Sequence, residues 1–155
     1  MRFPQRAART RPVRPRLLMV IAEDWYFWSH RLHIAQAAQR AGYEVALATA
    51  QGELQARIEA EGFRYFPIRL DRGSTNPVAE ARSVASVTAV MARFRPDVVH
   101  LVAHKLVLYG SIAAALTRAP AVVCAVAGMG YLFMGDGLKR QVLRGVVQQA
   151  YGTLV

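Results

Sequence analysis

Cysteine is almost absent from this 155-residue chain: a single residue, Cys124, rules out any internal disulfide. It sits in the apolar run "AVVCAV" with no electropositive neighbour, which points to a buried, inert thiol rather than a nucleophile. One lone thiol fits a reducing compartment, so a cytoplasmic location is expected. Acids are also scarce, 10 Asp+Glu against 20 Lys+Arg, for a formal net charge of +10. None of the acids falls in the first sixteen residues, which hold Arg2, Arg6, Arg9, Arg11, Arg14, Arg16 and three prolines. Residues 1–15 therefore read as an extended, unstructured basic tail. Its charge suits anionic lipid headgroups, at roughly 1 kcal/mol per basic residue near a membrane, or nucleic acid; a plain solvated tail is the simpler alternative. The apolar run that follows, "LLMVIA", is too short for a secretory signal. Long apolar runs are missing as well. The richest region, "LVLYGSIAAALTRAPAVVCAVAGMGYLFM", is interrupted by Arg118 and Pro120, and a membrane span needs about 20 uninterrupted apolar residues.

What is present is globular. The 54% apolar and 19% charged content excludes a disordered chain and is enough for one domain with a sizeable core. Short β-branched runs alternate with helix-period segments. Strands are expected at 16–22, 43–49, 63–68, 97–102 and 121–126. Most lack clean alternation, as strands buried on both faces of a parallel sheet do. A first helix is expected from Ser29 as N-cap to Gly42 as the residue just past its end. A second is "ELQARIEAE", stopped by Gly62. A third opens on Asn76-Pro77, with Val84, Val87, Met91 and Phe94 on one face and Pro96 beyond its end. A fourth covers about 106–117, and a fifth begins near Leu138. Strand and helix alternate throughout. That order predicts an α/β fold, a Rossmann-like open parallel sheet of about five strands with flanking helices.

Ligands of such sheets bind at the carboxyl ends of the strands. A dinucleotide is excluded by what the first of those ends lacks. The turn after the first strand, "EDWYFWSHR", has no glycine to let a pyrophosphate approach the backbone, and carries Trp25, Tyr26, Phe27 and Trp28 instead. The second strand ends in Thr49-Ala50, without an acid for a ribose. There is no nucleophile elbow, phosphate-binding P-loop or zinc-protease motif, and the acid–histidine spacings do not match a metal site. The strand ends offer cations and rings. The first has Glu23 and Asp24, the ring cluster, His30 and Arg31; the third has Arg69, Asp71 and Arg72 around Gly73; the fourth has His104, Lys105 and Tyr109. This lining suits an anionic, partly apolar ligand, and rings give flat faces for sugar C–H groups. Some of the rings must simply pack against the sheet. His30 and Arg31, read as the first turn of a helix, sit where a cation opposes the helix dipole. His100, inside a strand, reads as a core histidine with a partner. Gly128, Gly130, Gly135 and Gly137 make a glycine-rich loop before a helix, a setting suited to anions.

Taken in order, "DWYFWSHRLHIAQAAQRAGYEVALAT", "RGSTNPVAEARSV", "RPDVVHLVAHKLVLYGSIAA" and "AVAGMGYLF" resemble the N-terminal half of bacterial GT-B glycosyltransferases. More narrowly they resemble the group 1, family 4-type enzymes that act on undecaprenyl-diphosphate-linked glycans. The resemblance covers residues 16 to about 152. It implies one of two Rossmann-like domains facing a cleft, here the acceptor-side domain over 16–155. It also implies that the nucleotide-sugar donor binds mainly the other domain, with no catalytic metal, no cofactor and retention of anomeric configuration. Carried over by position, Asp24, Trp25, His30 and Arg31 match the first-loop motif. Arg72, Gly73 and Asn76-Pro77 match the third, Lys105, Tyr109 and Gly110 the fourth, and Gly128, Gly130, Tyr131 and Phe133 the glycine loop. The sequence departs from the family at Leu106, where proline is usual, and at His104, usually apolar. At about 100–200 residues per domain a two-domain enzyme needs roughly twice this length, so the donor domain is expected to be absent. Split glycosyltransferases of the dolichol pathway show that a separate acceptor half can work with a partner chain.

These readings give an expected function. The chain is the acceptor-binding domain of a glycosyltransferase acting on a lipid-linked saccharide, inactive alone and peripheral at the inner face of the plasma membrane. In this reading Lys105, His30 and Arg31 hold a diphosphate, Trp25 and Tyr131 hold sugar or prenyl surfaces, and Asp24 bonds an acceptor hydroxyl. The alternatives are a non-catalytic module that uses its basic tail on a membrane or nucleic acid, and a small-molecule Rossmann enzyme. No residue stands out as the catalytic base.

Overall fold

The computed structural model describes residues 14–70 and 76–125. The basic tail through residue 13, the segment with Arg72 and Gly73, the glycine loop with Gly128, Gly130 and Tyr131, and the helix expected from near Leu138 lie outside the described residues.

The elements run β1 (Arg16–Val20), α1 (Asp24–His30), α2 (Leu32–Arg40), β2 (Glu44–Ala50), α3 (Gln55–Ala60), β3 (Arg64–Ile68), α4 (Pro77–Phe94), β4 (Val98–Val102), α5 (His104–Thr117) and β5 (Ala121–Ala125). All five strands are parallel and ordered β3-β2-β1-β4-β5. Each strand falls within a residue or two of its expected limits, because continuous β-branched runs between turn residues leave little choice of register. Alternate residues feed two cores. Leu18, Val20, Ala46, Ala48, Val99 and Leu101 pack against α4 and α5 through Val87, Met91, Phe94, Leu106 and Val107. Leu17, Met19, Ile21, Val45 and Leu47 pack on the other side against Phe27, Ala35, Ile58 and Phe63.

The helix ends follow their local chemistry. The Asn76 side-chain oxygen accepts the Val78 N–H at 2.9 Å, with Pro77 at the first helical position. After α2, Gly42 takes φ +93; its N–H reaches Gln39 O while the Tyr43 N–H reaches Ala38 O. That paired closure wants a left-handed residue, which glycine supplies without strain.

The one clear departure from the sequence reading is the opening stretch. "DWYFWSH" is not a turn but a two-turn helix, α1, and Ser29 is not a cap. Its hydroxyl donates back to Trp25 O at 2.7 Å, inside the helix. The chain breaks from α1 to α2 at a single residue, Arg31, with φ −127 and ψ −11. Tertiary packing overrides the weak helix preference of a run of rings. Phe27 is fully buried edge-on to Phe63, with centroids 5.9 Å apart. Trp28 is covered by the Arg57 guanidinium of α3, 4.3 Å above its ring. An acid at the first helical position, Asp24, favours the helix electrostatically.

Candidate functional site

The sheet order reverses direction between β1 and β4. In open α/β sheets the ligand crevice lies at that point, outside the carboxyl ends of the two strands. Here the start of α1 follows β1 and the start of α5 follows β4, so Trp25 and Lys105 belong to the two walls of one crevice.

The α1 wall is firmly tied. Asp24 is buried, and its two carboxylate oxygens accept the Trp25 N–H at 2.7 Å and the Leu54 N–H at 2.8 Å. The second bond clamps α1 to the loop after β2. Asp24 thus braces the wall from beneath, a different task from bonding an acceptor hydroxyl. Trp25 stands above it with 54% of its surface exposed, edge-on to Tyr26. Tyr26 in turn stacks on His30 at 4.6 Å and 13°. The His30 Nδ1 shares a 2.8 Å hydrogen bond with Ser29. His30 lies in the last turn of α1, where a cation suits the dipole, so the mismatch expected from the sequence does not exist.

Arg31 differs from its neighbour. Its Nε is buried and has no hydrogen-bond partner. His100, on β4 beside Met19 of β1, also has a buried Nε2 without a partner. It is therefore not the satisfied core histidine that its sequence position suggested. Burial, and secondarily the Arg31 charge, hold the His100 imidazole below the ordinary histidine range, so it is neutral near pH 7. No sequence signal could have found this, because it depends on the missing partner.

The α5 wall begins at Ala103, with φ +80 and ψ 150, backbone that is essentially glycine-only. Its N–H is held by Ala125 O at 3.2 Å. The next residues but one bring in Lys105, whose Nζ meets the Glu80 carboxylate of α4 at 2.9 Å. Both side chains are about a third exposed, so the pair contributes under about 1 kcal/mol. Tyr109, one turn further, is 7% exposed and lies in the core on the α4 side, away from the crevice surface. Strain at Ala103 of about 1–3 kcal/mol exceeds what glycine loses in the unfolded chain, about 0.4–1 kcal/mol. Ala103→Gly is therefore expected to raise stability by about 1 kcal/mol in urea unfolding. A less stable variant would show that the backbone is relaxed there.

Among the described residues, no cluster of His, Cys, Asp or Glu could hold a metal ion, and no helix is long and apolar enough to cross a membrane. Cys124 is half-buried; burial pushes its thiol up against a smaller opposing hydrogen bond from Ser111, in keeping with an inert role. Two cavities of about 360 and 540 Å³ flank α5, and neither includes a residue of the segments that follow β1 or β4.

With this geometry in place, residues 16–151 match the family model described as glycosyl transferase 4-like. The chain belongs to that family. A curated relative is the N,N'-diacetylbacillosaminyl-diphospho-undecaprenol alpha-1,3-N-acetylgalactosaminyltransferase of Campylobacter jejuni. It is 24% identical over 121 residues, which are 78% of this chain and 32% of the relative. The chain thus spans about a third of the length of the curated relative it matches. Among solved structures it resembles a glycosyltransferase from Rickettsia africae (TM-score 0.58, 14% identity, 72% of this chain and 29% of that one). Acinetobacter baumannii MurG is similar as well (0.56, 18%, 70% and 33%). So is a UDP-N-acetylglucosamine 2-epimerase (0.57, 14%, 83% and 37%). At these identities the likeness establishes the Rossmann-like fold, which transferases and an epimerase share, and not a reaction.

Proposed function

We propose that this chain is the acceptor-side domain of a glycosyltransferase whose acceptor is a saccharide carried on a lipid diphosphate. The observation that carries the reading is the pairing of an exposed ring, Trp25, with cationic groups on both walls of the switch-point crevice, Arg31 and Lys105. A diphosphate needs cations held in place, and a sugar needs a flat apolar face beside them. The name of the Campylobacter jejuni relative describes an acceptor with these parts. The Lys105–Glu80 pair itself is weak, its side chains being about a third exposed. Cations at this edge also stabilise a diphosphate leaving-group charge if one develops there. The nucleotide-sugar donor binds outside these residues, in a further domain or a separate chain, and no cofactor is assigned. The basic tail adds attraction to an anionic membrane surface where such acceptors reside.

Calorimetric titration with farnesyl diphosphate and with farnesol tests the reading. The diphosphate is expected to bind at least tenfold more tightly than the alcohol. Arg31→Ala and Lys105→Ala are each expected to weaken the diphosphate by about tenfold to a hundredfold, as lost charge-assisted bonds do, with unchanged circular dichroism. Equal affinity for the diphosphate and the alcohol would end the proposal.

A further inference from the structure

Among the described residues, several buried side-chain atoms lack a hydrogen-bond partner, Thr49 and Tyr109 hydroxyls included; Arg31 Nε and His100 Nε2 are the two that belong to neighbouring groups, one of them charged and acting on the other. Buried polar atoms in native proteins are nearly always paired, and an orphan calls for an explanation such as a missing ligand. Arg31 occupies the break between α1 and α2 on the side of the sheet that those helices cover. His100 lies on that same side, between Val98 and Val102 along β4. Its partners across the sheet, Met19 on β1 and Val123 on β5, are uncharged, which leaves Arg31 as the charged group acting on it. His104 and Lys105 lie beyond the strand's end, at the start of α5.

We propose that Arg31 and His100 form one anion subsite at the base of the crevice, and that His100 takes a proton from solvent as a phosphate group of the ligand settles there. This rests on the reading of the crevice as a diphosphate site and assigns His100, rather than His30, as the histidine of that site. The chemistry is asymmetric. Without an anion, a second positive charge beside Arg31 is unfavourable, so His100 stays neutral. A bound phosphate oxygen reverses that balance: it accepts from Arg31 Nε–H and favours the charged imidazolium, which donates from Nε2. His30 has no such position, since it is exposed, stacked on Tyr26 and bonded to Ser29. His100 is accordingly a ligand-binding residue with a pH-dependent contribution, and the affinity for anions is expected to rise as pH falls.

The test is nuclear magnetic resonance of the histidine side chains in the whole chain, titrated with pH in the absence and presence of sulfate. Sulfate keeps its charge across the range used, so any pH dependence belongs to the protein. Without sulfate, His100 is expected to titrate below the ordinary histidine range. With saturating sulfate its midpoint is expected to rise by about one unit, equivalent to about tenfold tighter sulfate binding at low pH than at high pH. Arg31→Gln is expected to raise the sulfate-free midpoint of His100 and to shrink its response. His100→Gln, which keeps a donor but cannot titrate, is expected to bind sulfate with no pH dependence. A His100 midpoint unmoved by sulfate that binds elsewhere in the crevice would overturn this assignment and leave the acceptor reading intact. No sulfate binding would also overturn it. A His100 response to sulfate with no binding of farnesyl diphosphate would retain the subsite and discard the lipid-linked acceptor.

Discussion

Gly52→Ala is expected to lower the stability of the domain by about 3 kcal/mol. The position has ordinary backbone, so the penalty is not conformational. An added Cβ would run into the carboxylate of Asp24. That carboxylate cannot withdraw without releasing the Trp25 and Leu54 N–H groups it accepts from. Overpacking costs about 1–3 kcal/mol, and a buried N–H left without its acceptor costs about 1–3 kcal/mol more. Asp24→Ala alone is expected to cost about 2–3 kcal/mol for the same lost bonds. In the double variant the clash disappears and the same bonds are already lost, so the combined loss should fall short of the sum by about 3 kcal/mol. Urea unfolding of the four proteins in the cycle measures this. Simple additivity would mean that Asp24 and Gly52 do not hold each other.

The second large effect is expected at the other wall. Gly110 lies in the middle of α5, where glycine is normally a weakness of about 1 kcal/mol relative to alanine. Gly110→Ala should nevertheless destabilise, by about 2 kcal/mol. A Cβ there would meet the side chain of Leu101 on β4, which is fully buried and has nowhere to go. Leu101→Val in the same molecule makes room and should restore at least half of the loss. If Gly110→Ala melts with the parent or above it, α5 is not seated on β4 as closely as the structure shows.

Both positions bear on what the sequence could disclose. The strands were legible because an apolar, β-branched run bounded by turn residues is stable only as a buried strand. The alternation of elements then gave the open parallel sheet, though not its strand order, and the strand ends gave the site's expected location. Asn76-Pro77 and Gly42 announced helix limits because their chemistry is local. The aromatic run was misread for the opposite reason. Whether "DWYFWSH" is a turn or a helix depends on Phe63, Arg57 and Leu54, which are distant in sequence. Of the first-loop residues named from the sequence, Trp25 is exposed, Arg31 has a buried Nε, Asp24 is buried and bonded to the Trp25 and Leu54 N–H groups, and His30 is exposed and stacked on Tyr26. Lys105 reaches the crevice already paired with Glu80, and Tyr109 goes to the core. Periodicity gives a face and a layer, but partners across the fold decide what each side chain does there.

The unequal mounting of the two walls has a thermodynamic consequence. The α1 wall is fastened by Phe27 in the core and by the Asp24–Leu54 bond. Lys105 on the α5 wall is held in part by its ion pair with Glu80, about a third exposed, two residues after the strained backbone of Ala103. A ligand entering between them meets one side fastened through the core and another fastened through a partly exposed ion pair. The ordering entropy of association, about 0.5–1.5 kcal/mol for each mobile side chain immobilised, therefore falls mainly on Lys105 and its neighbours. Affinity gained by stiffening that wall comes without any new contact to the ligand.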